Sequence, residues 1–319
     1  MTDAPRPFRF VAAMPRLHQP AAQWRGEVRR IEDMGFSTVA ISDHFTRGWV
    51  MDPVVAMVAA AEATTSLRVM SLVLGNDYRH PVMLHKALAT LDVLSGGRVD
   101  IGLGAGWMPS DYEAAGIPLD PAGVRVDRLA ESVEVIKGLF ADKPLTYVGR
   151  HYEINGLDGL PKPVQQPHPP LLIGGGSRRV LELAGAAADI VGINPSMCAG
   201  LPVGSAVLDL TAERVKEKQG MARAAAQLAG RDPDGLQFQI SMLKLHVTDV
   251  PEATPWVSSM AANVTDENVL AESPAVLHGT VAQCVDTLQR RREQFGLNQI
   301  LLGGDIRAAA PIVAALAGA

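Results

Sequence analysis

The chain has 319 residues, of which 47% are hydrophobic and 20% are charged, so it is long enough for one large folded domain or two small ones. Its formal net charge of −5 excludes the basic excess that holds nucleic acid or an anionic membrane, and leaves a small-molecule substrate as the expected partner. The N-terminal segment lacks an apolar signal core and no apolar run approaches the roughly 20 residues that span a bilayer, so we expect a cytoplasmic protein.

Short apolar runs alternate with amphipathic segments along the first half of the chain, which is the pattern of parallel strands joined by helices. Strands are predicted over 8–13, 38–42, 67–74 and 98–103. Helices are predicted before Gly35, over 53–63, and from Pro81 to the Gly96-Gly97 pair. In the third helix, leucines at helical spacing predict one buried stripe, formed by Leu84, Leu88, Leu91 and Leu94.

The same alternation continues in the second half, with two interruptions. Strands are predicted over 171–173, 189–193, within 236–247 and over 299–302, and helices up to 140 and over 178–187, 212–229, 280–295 and 305–317. The interruptions are a β-hairpin with a proline-rich return over 142–170, and a loop over 194–210 that is mobile or forms a lid. About eight repeats predict an α/β fold: a single (β/α)8 TIM-barrel domain over 1–319 with these two excursions at its rim.

Glycines follow the strand predicted over 98–103, in the segment GLGAGW. Gly104 and Gly106 leave bare backbone at the carboxyl end of that strand, where barrel enzymes bind ligands. Ala105 separates them, and Trp107 follows, whose indole either stacks on a ligand ring or packs the barrel rim. The segment does not match the GxGxxG fingerprint of dinucleotide sites.

An Asp-His pair directly follows the second predicted strand. His44 at that position can act as an acid or a base near neutral pH, and Asp43 can orient a ligand. The alternative is a loop histidine next to a helix-capping aspartate.

Three glycines and a serine follow the strand predicted over 171–173. Gly174, Gly175, Gly176 and Ser177 open a helix, so unpaired N–H groups and the helix dipole predict a phosphate site, with Arg178 adding positive charge. The alternative is a tight turn in which Ser177 only caps the helix.

The remaining reactive residue types give little sign of a second site. Asp111 and Glu113 are expected to be solvated or to cap a helix, and His80 and His85 to be surface or packing residues. The two cysteines, Cys198 and Cys284, are too few for a disulfide framework. Four other histidines share no ligand spacing that favours zinc: His151, His168, His246 and His278. Motifs of serine hydrolases and kinases are absent from the sequence.

Four segments carry a resemblance to a known family. They are SDHF after the second strand, YRHP with LATLDVLSGGRVDIGLGAGW, PVQQPHPPLLIGGGS, and GTVAQCVDTLQRRREQFGLNQILLG. Together they resemble the luciferase-like monooxygenase superfamily across essentially the whole chain, and most of all the actinobacterial branch that uses the deazaflavin coenzyme F420, for which SDHF is characteristic. The resemblance implies a barrel that holds the (deaza)flavin at its carboxyl-terminal rim. It also implies a non-prolyl cis peptide bond behind the ring, between Leu72 and Val73.

The same resemblance implies roles for the candidate residues. Asp43 would hydrogen-bond the pyrimidine side of the deazaflavin, and His44 would face its reactive carbon. The segment Gly104, Ala105, Gly106 and Trp107 would line the ring and the ribityl chain. Gly174 to Ser177, beside Arg178, would hold the phosphate.

Two departures from the similar glucose-6-phosphate dehydrogenases bear on the substrate. Those enzymes have a proton-donating Glu where this chain has Trp107, and a Trp where it has Gly48, with Trp49 one step later. Their sugar-phosphate-binding lysines have no match here, so glucose 6-phosphate is not the expected substrate.

The resemblance therefore implies an F420-dependent oxidoreductase that moves a hydride between the coenzyme and a small organic substrate. Two alternatives stay open: an FMN-dependent two-component monooxygenase, and a catalytically silent flavin-binding protein. The resemblance further implies a homodimer, and a flavin or deazaflavin reductase is a possible partner. No metal is expected.

Overall fold

The computed structural model describes residues 6–17, 20–196, 203–249 and 272–319. Its strands are β1 Arg9–Ala13, β2 Thr38–Ile41, β3 Arg68–Ser71, β4 Leu74–Gly75, β5 Val99–Gly104, β6 Leu145–Val148, β7 Glu153–Leu157, β8 Leu171–Gly175, β9 Ile190–Ile193, β10 Gln237–Ser241, β11 Lys244–Val247, β12 Val276–Gly279 and β13 Leu297–Leu302. Its α-helices are α1 Ala21–Asp33, α2 Pro53–Ala63, α3 Pro81–Ser95, α4 Pro109–Ala115, α5 Ala122–Phe140, α6 Arg178–Ala187, α7 Val203–Leu208, α8 Ala212–Leu228, α9 Val281–Phe295 and α10 Ile306–Leu316.

Eight of these strands form a closed barrel in which every neighbouring pair is parallel. The order is β1-β2-β3-β5-β8-β9-β10-β13, and β13 pairs with β1 to close the ring. Helices surround it, so the outward faces of the strands and the inward faces of the helices make the main core. The predicted TIM barrel is confirmed.

Side chains from alternate strand positions fill the barrel interior. A separate apolar cluster inside contains Val11, Met70, Leu172 and Ile190. At the amino-terminal end, the buried carboxylate of Asp100 pairs with two arginines, Arg9 and Arg68. The carboxyl-terminal end carries the residues that the sequence singled out.

The strand predicted over 67–74 is interrupted. β3 ends at Ser71 and β4 begins at Leu74, and the Leu72–Val73 peptide bond between them is cis. The cis bond lies where the resemblance implied it, between the two strands that replace the single predicted one.

The leucine stripe predicted for α3 is correct except at Leu94. Leu84, Leu88 and Leu91 are buried, but 63% of Leu94 is exposed and the neighbouring Ser95 is buried instead. At 100° per residue, position 95 lies about 20° from Leu84 around the helix, whereas position 94 lies about 80° away. The prediction of Leu94 as buried was wrong.

The two excursions differ in how far the structure describes them. β6 and β7 form the antiparallel hairpin predicted within 142–170. Of the second excursion, residues 197–202, which include Cys198, lie outside the described residues, and α7 follows them. The segment 236–247 holds two strands rather than one, because β10 joins the barrel whereas β11 pairs with β12 outside it. Among the described helices, none is both long and apolar enough to cross a membrane.

Candidate functional site

The central pair of the site is His44, just after β2, and Asp111, in the first turn of α4. The Nδ1 atom of His44 lies 2.6 Å from Oδ2 of Asp111. The Asp111 side chain is fully buried, and that of His44 is 14% exposed. The two residues therefore form an Asp-His pair in which only the histidine reaches the surface of the site.

The surroundings of Asp111 favour its ionised form. Its other oxygen accepts hydrogen bonds from the Thr46 hydroxyl at 2.6 Å and from the Thr46 and Phe45 amides at 3.0 and 3.2 Å. Burial opposes ionisation, but these hydrogen bonds together with the one from His44 lower the pKa of Asp111. An ionised carboxylate only accepts, so Nδ1 of His44 is the donor in this hydrogen bond.

This placement corrects the expectation that Asp111 is solvated or caps a helix. Pro109 begins α4, Met108 is its N-cap, and Asp111 turns inward instead of capping. Glu113, two residues later, is exposed as expected. A signal was present in the sequence, because an acidic residue in the first turn of a helix that directly follows a barrel strand lies at the catalytic rim.

Two tryptophans flank the His44 ring. The Trp49 ring lies 5.2 Å from it and tilted, and the Trp107 ring lies 5.9 Å from it and edge-on. Arg47 and Gly48, which directly precede Trp49, both have positive φ. Trp107 thus packs against the imidazole of His44 at the rim of the barrel.

Asp43 lies beside His44 but faces different partners. Its Oδ2 accepts from the Gly75 amide at 3.1 Å and from Arg79, while its Oδ1 lies 3.4 Å from Arg79 Nη2. Burial raises the pKa of Asp43, and the hydrogen bond from Arg79 opposes that rise. Arg79 also donates to Asp52 at 2.9 Å, so one guanidinium connects the end of β2 to the N-cap of α2.

A cavity of about 240 Å³ opens beside these groups. Its lining consists of Asp43, His44, Phe45, Trp49, Val50, Met51, Asp52, Pro53 and Arg79. A larger cavity of about 690 Å³ lies on the outside of the barrel along α9 and β12, and shares none of these residues. The smaller cavity is the candidate substrate site because it alone of the two contains the Asp-His pair's exposed edge.

Val73 lies against the glycines at the carboxyl ends of β5 and β8. A Cβ added to Gly104 would lie 2.7 Å from Cγ2 of Val73, and one added to Gly174 would lie 3.1 Å from its Cγ1. Leu72 and Val73 both pack on the interior cluster. The structure therefore brings together three features predicted separately: the cis bond, Gly104 at the end of β5 and Gly174 near the end of β8.

Arg125, from α5, fixes the segment that carries Trp107. Its guanidinium donates to the carbonyls of Ala105 and Gly106, and lies 5.9 Å from the centre of the Tyr112 ring. Gly106 has a φ of +75°, and a Cβ there would collide with the Tyr112 hydroxyl. The sequence did not point to Arg125, which acts on backbone carbonyls. Nor did it point to Tyr112, whose hydroxyl donates to the Asp77 carboxylate at 3.0 Å.

The predicted phosphate site is at the start of α6. Ser177 is the N-cap residue, but its side chain makes no capping hydrogen bond. The first helical bond reaches from the Leu181 amide to the Ser177 carbonyl, so three earlier amides have no partner within the helix. Arg178 pairs with Glu182 at 2.8 Å, and Arg179 pairs with Asp127. Ser177 therefore occupies the N-cap position without the side-chain hydrogen bond of a capping residue.

The second and third glycines of this turn have packing reasons as well. A Cβ on Gly175 would lie 2.4 Å from Cγ1 of Val180, and one on Gly176 would meet the backbone at Asn194 and Pro195. Lys218 of α8, which the sequence did not single out, donates to the Gly176 and Asn194 carbonyls and to Asp209. The turn is therefore held by close packing against the backbone at Asn194 and Pro195 and by the hydrogen bond from Lys218.

Residues 8–254 match the family model described as luciferase-like monooxygenase. The chain is similar to an FMNH2-dependent dimethylsulfone monooxygenase of Pseudomonas putida, with 30% identity over 162 residues, or 50% of this chain and 44% of that protein. It is also similar to an F420-dependent glucose-6-phosphate dehydrogenase of Amycolatopsis mediterranei, with 31% identity over 166 residues, or 50% of this chain and 49% of that protein. The match spans less than half the length of each relative.

Among solved structures, the fold is similar to that of an F420-dependent secondary alcohol dehydrogenase in complex with an F420-acetone adduct. The TM-score is 0.76, with 19% identity and coverage of 97% of this chain and 98% of that chain. At this identity the similarity establishes the fold.

Proposed function

The chain belongs to the luciferase-like monooxygenase family, and from that premise we propose that it is an F420-dependent oxidoreductase acting on a small organic substrate. The observation that carries the proposal is the buried Asp111–His44 pair beside a cavity at the barrel mouth. Similarity to an F420-dependent dehydrogenase supports the choice of coenzyme.

The Asp-His pair suits a proton transfer that accompanies hydride transfer. Asp111 holds Nδ1–H of His44, so Nε2 can accept a proton from a substrate hydroxyl. The imidazolium that then forms lies next to an ionised, buried carboxylate, which stabilises it. In the reverse direction the same atom returns the proton to a substrate carbonyl oxygen.

The described residues fit a bound (deaza)flavin. Gly104 to Trp107 and the Leu72–Val73 bond would line its ring, and the uncapped amides of Arg178, Arg179 and Val180 would hold its phosphate. Asp43 would offer Oδ1, the oxygen with the longer contact to Arg79. When bound, the coenzyme supplies the two-electron chemistry by accepting or giving a hydride.

An FMN-dependent two-component monooxygenase is the second candidate, supported by the similarity to the dimethylsulfone monooxygenase. It would use the same barrel mouth but would consume oxygen and depend on a separate reductase.

The experiment that separates the two is a titration with oxidised and reduced F420 and FMN, followed by turnover with and without oxygen. The proposal expects tight binding of F420 and turnover under anaerobic conditions with no oxygen uptake. Turnover only with reduced FMN and oxygen would overturn it in favour of the monooxygenase. Binding without turnover on any tested alcohol, ketone or sulfone would contradict both and support a silent flavin-binding protein.

A further inference from the structure

Lys218, from α8, places its ammonium group against the glycine turn that precedes α6. The side chain of this lysine is only 6% exposed. Its Nζ atom donates to the Gly176 carbonyl at 3.0 Å, to the Asn194 carbonyl at 3.2 Å and to Oδ2 of Asp209 at 2.8 Å. These three hydrogen bonds use all three N–H groups of the ammonium. A positive charge is therefore buried against the backbone of the turn.

The turn does not need an ammonium group to satisfy its carbonyls. The Gly176 carbonyl also accepts from the Ser196 hydroxyl at 3.0 Å. The Gly175 carbonyl accepts from the Asn194 amide at 3.2 Å. Burying an ammonium is unfavourable because it loses its hydration, and Asp209 offsets this only in part, since water screens its 28%-exposed carboxylate. A neutral donor could hold the turn, so the buried charge points to a further role.

The peptide groups of the turn transmit the effect of this charge to their amide side. The peptide bond between Gly176 and Ser177 is trans, so its N–H points away from the carbonyl that Lys218 contacts. A cation at the carbonyl oxygen polarises the peptide group and strengthens its N–H as a donor. The next three amides, at residues 178–180, have no acceptor within α6. The ammonium therefore favours an anion at these amides.

We propose that Lys218 is a positioning residue for the phosphate of the coenzyme. Its ammonium holds the Gly174–Ser177 turn and adds positive potential on the carbonyl side of the peptide groups whose amides bind the phosphate. The lysine does not touch the phosphate, because the backbone of the turn lies between them. This inference rests on the proposed function only for the presence of a phosphate at this turn, and F420 and FMN both carry one on the ribityl chain.

The test is equilibrium binding of two ligand pairs that differ in the phosphate. They are FMN with riboflavin, and F420 with the ribityl deazaflavin that lacks the phosphate. In each pair, the Kd without the phosphate divided by the Kd with it gives a phosphate ratio. Lys218→Met keeps an unbranched side chain and removes the charge, so it should lower this ratio by roughly tenfold and leave the Kd of the phosphate-free ligands nearly unchanged. A merely structural role would weaken both members of a pair equally.

Lys137, from α5, provides the matched control. It is also a half-buried lysine that donates to a backbone carbonyl, that of Ala187 at the last residue of α6, at 3.0 Å. The ten residues of α6 extend about 15 Å, so Lys137 lies more than a Debye length from the glycine turn. Lys137→Met makes the same chemical change and should leave both phosphate ratios unchanged.

Asp209→Asn is the second variant, and it decides the question even if Lys218→Met does not fold. It keeps an acceptor for Lys218 but removes the negative charge that offsets the ammonium, so it should raise the phosphate ratio. An unchanged or lower ratio in this variant would overturn the inference. Equal weakening of both members of a pair in Lys218→Met, or no change in its ratio, would overturn it as well.

The outcomes also separate this inference from the proposed function. A phosphate ratio that falls in Lys218→Met with FMN, while F420 does not bind, would support the inference and contradict the proposed coenzyme. Tight F420 binding with the same phosphate ratio in wild type and Lys218→Met would do the opposite.

Discussion

The Nδ1 atom of His44 lies 2.6 Å from Oδ2 of Asp111, although the two residues are 67 positions apart in the chain. Asp111 is buried and ionised, so it fixes which nitrogen of the imidazole carries the proton. The pair gives the site a defined proton acceptor, and substitution of its buried carboxylate, Asp111, tests this role.

Asp111→Asn should lower kcat by about 10²-fold or more, because a neutral amide neither stabilises the imidazolium nor selects its tautomer. The Kd of the coenzyme should stay within a few-fold. Steady-state kinetics together with equilibrium titration of the coenzyme checks this. Glu113→Gln, an exposed change on the same helix, is the control; an equal effect of both variants would argue against the pair.

Ser177→Asp should weaken coenzyme binding by roughly tenfold or more while leaving the protein as stable as before. An aspartate is a good N-cap, but its charge would lie where we propose that the phosphate binds. Thr280→Asp makes the same chemical change at the N-cap of α9 and should not affect binding. Equilibrium titration of the wild type and both variants with the coenzyme measures these affinities. Equal affinities would show that the phosphate does not bind at Ser177.

Gly175→Ala should destabilise the fold, because the new methyl group would meet Cγ1 of Val180. Val180→Ala should rescue part of that loss, so the two changes are expected to couple by about 0.5–3 kcal/mol in a double-mutant cycle. Urea denaturation of the wild type, the two single variants and the double variant measures this coupling. Additive effects would show that the glycine is not required for packing.

Stability should fall between about pH 6.5 and pH 4 because of His85. Burial lowers its pKa to about 4, with Lys162 adding to the effect, so the unfolded chain binds a proton in this range and the folded chain does not. The loss should amount to about 3 kcal/mol on reaching pH 4. His85→Leu should remove that part of the pH dependence, and above pH 7 the difference in free energy of unfolding between variant and wild type should be constant. If the two curves of unfolding free energy against pH stay parallel down to pH 4, the assignment to His85 is refuted.

The sequence could predict the features that depend on local pattern. The bounds of α2 and α6 were predicted to the residue, since Pro53 and the Gly-Ser turn mark their starts and apolar periodicity covers their lengths. The Leu72–Val73 cis bond came from the resemblance and not from any local propensity. Leu94 shows the limit of counting leucines, because its place around the helix decides its burial.

Contacts between distant segments could not be predicted in this way. Asp111 reaches His44 only because α4 folds back over the rim, and Arg125 acts on backbone carbonyls that carry no sequence signal. Likewise Lys218 is identifiable only once α8 is packed behind the turn at Gly176. These residues complete the site by tertiary packing.

The most direct test of the account is the comparison of His44→Ala with Asp43→Asn in anaerobic, F420-dependent turnover. His44→Ala should lower kcat by about 10²–10⁴-fold and leave the coenzyme Kd within a few-fold, because it removes the proton acceptor alone. Asp43→Asn should mainly weaken coenzyme binding. Near-normal kcat in His44→Ala would contradict the account, since the proton would then have to pass through another group.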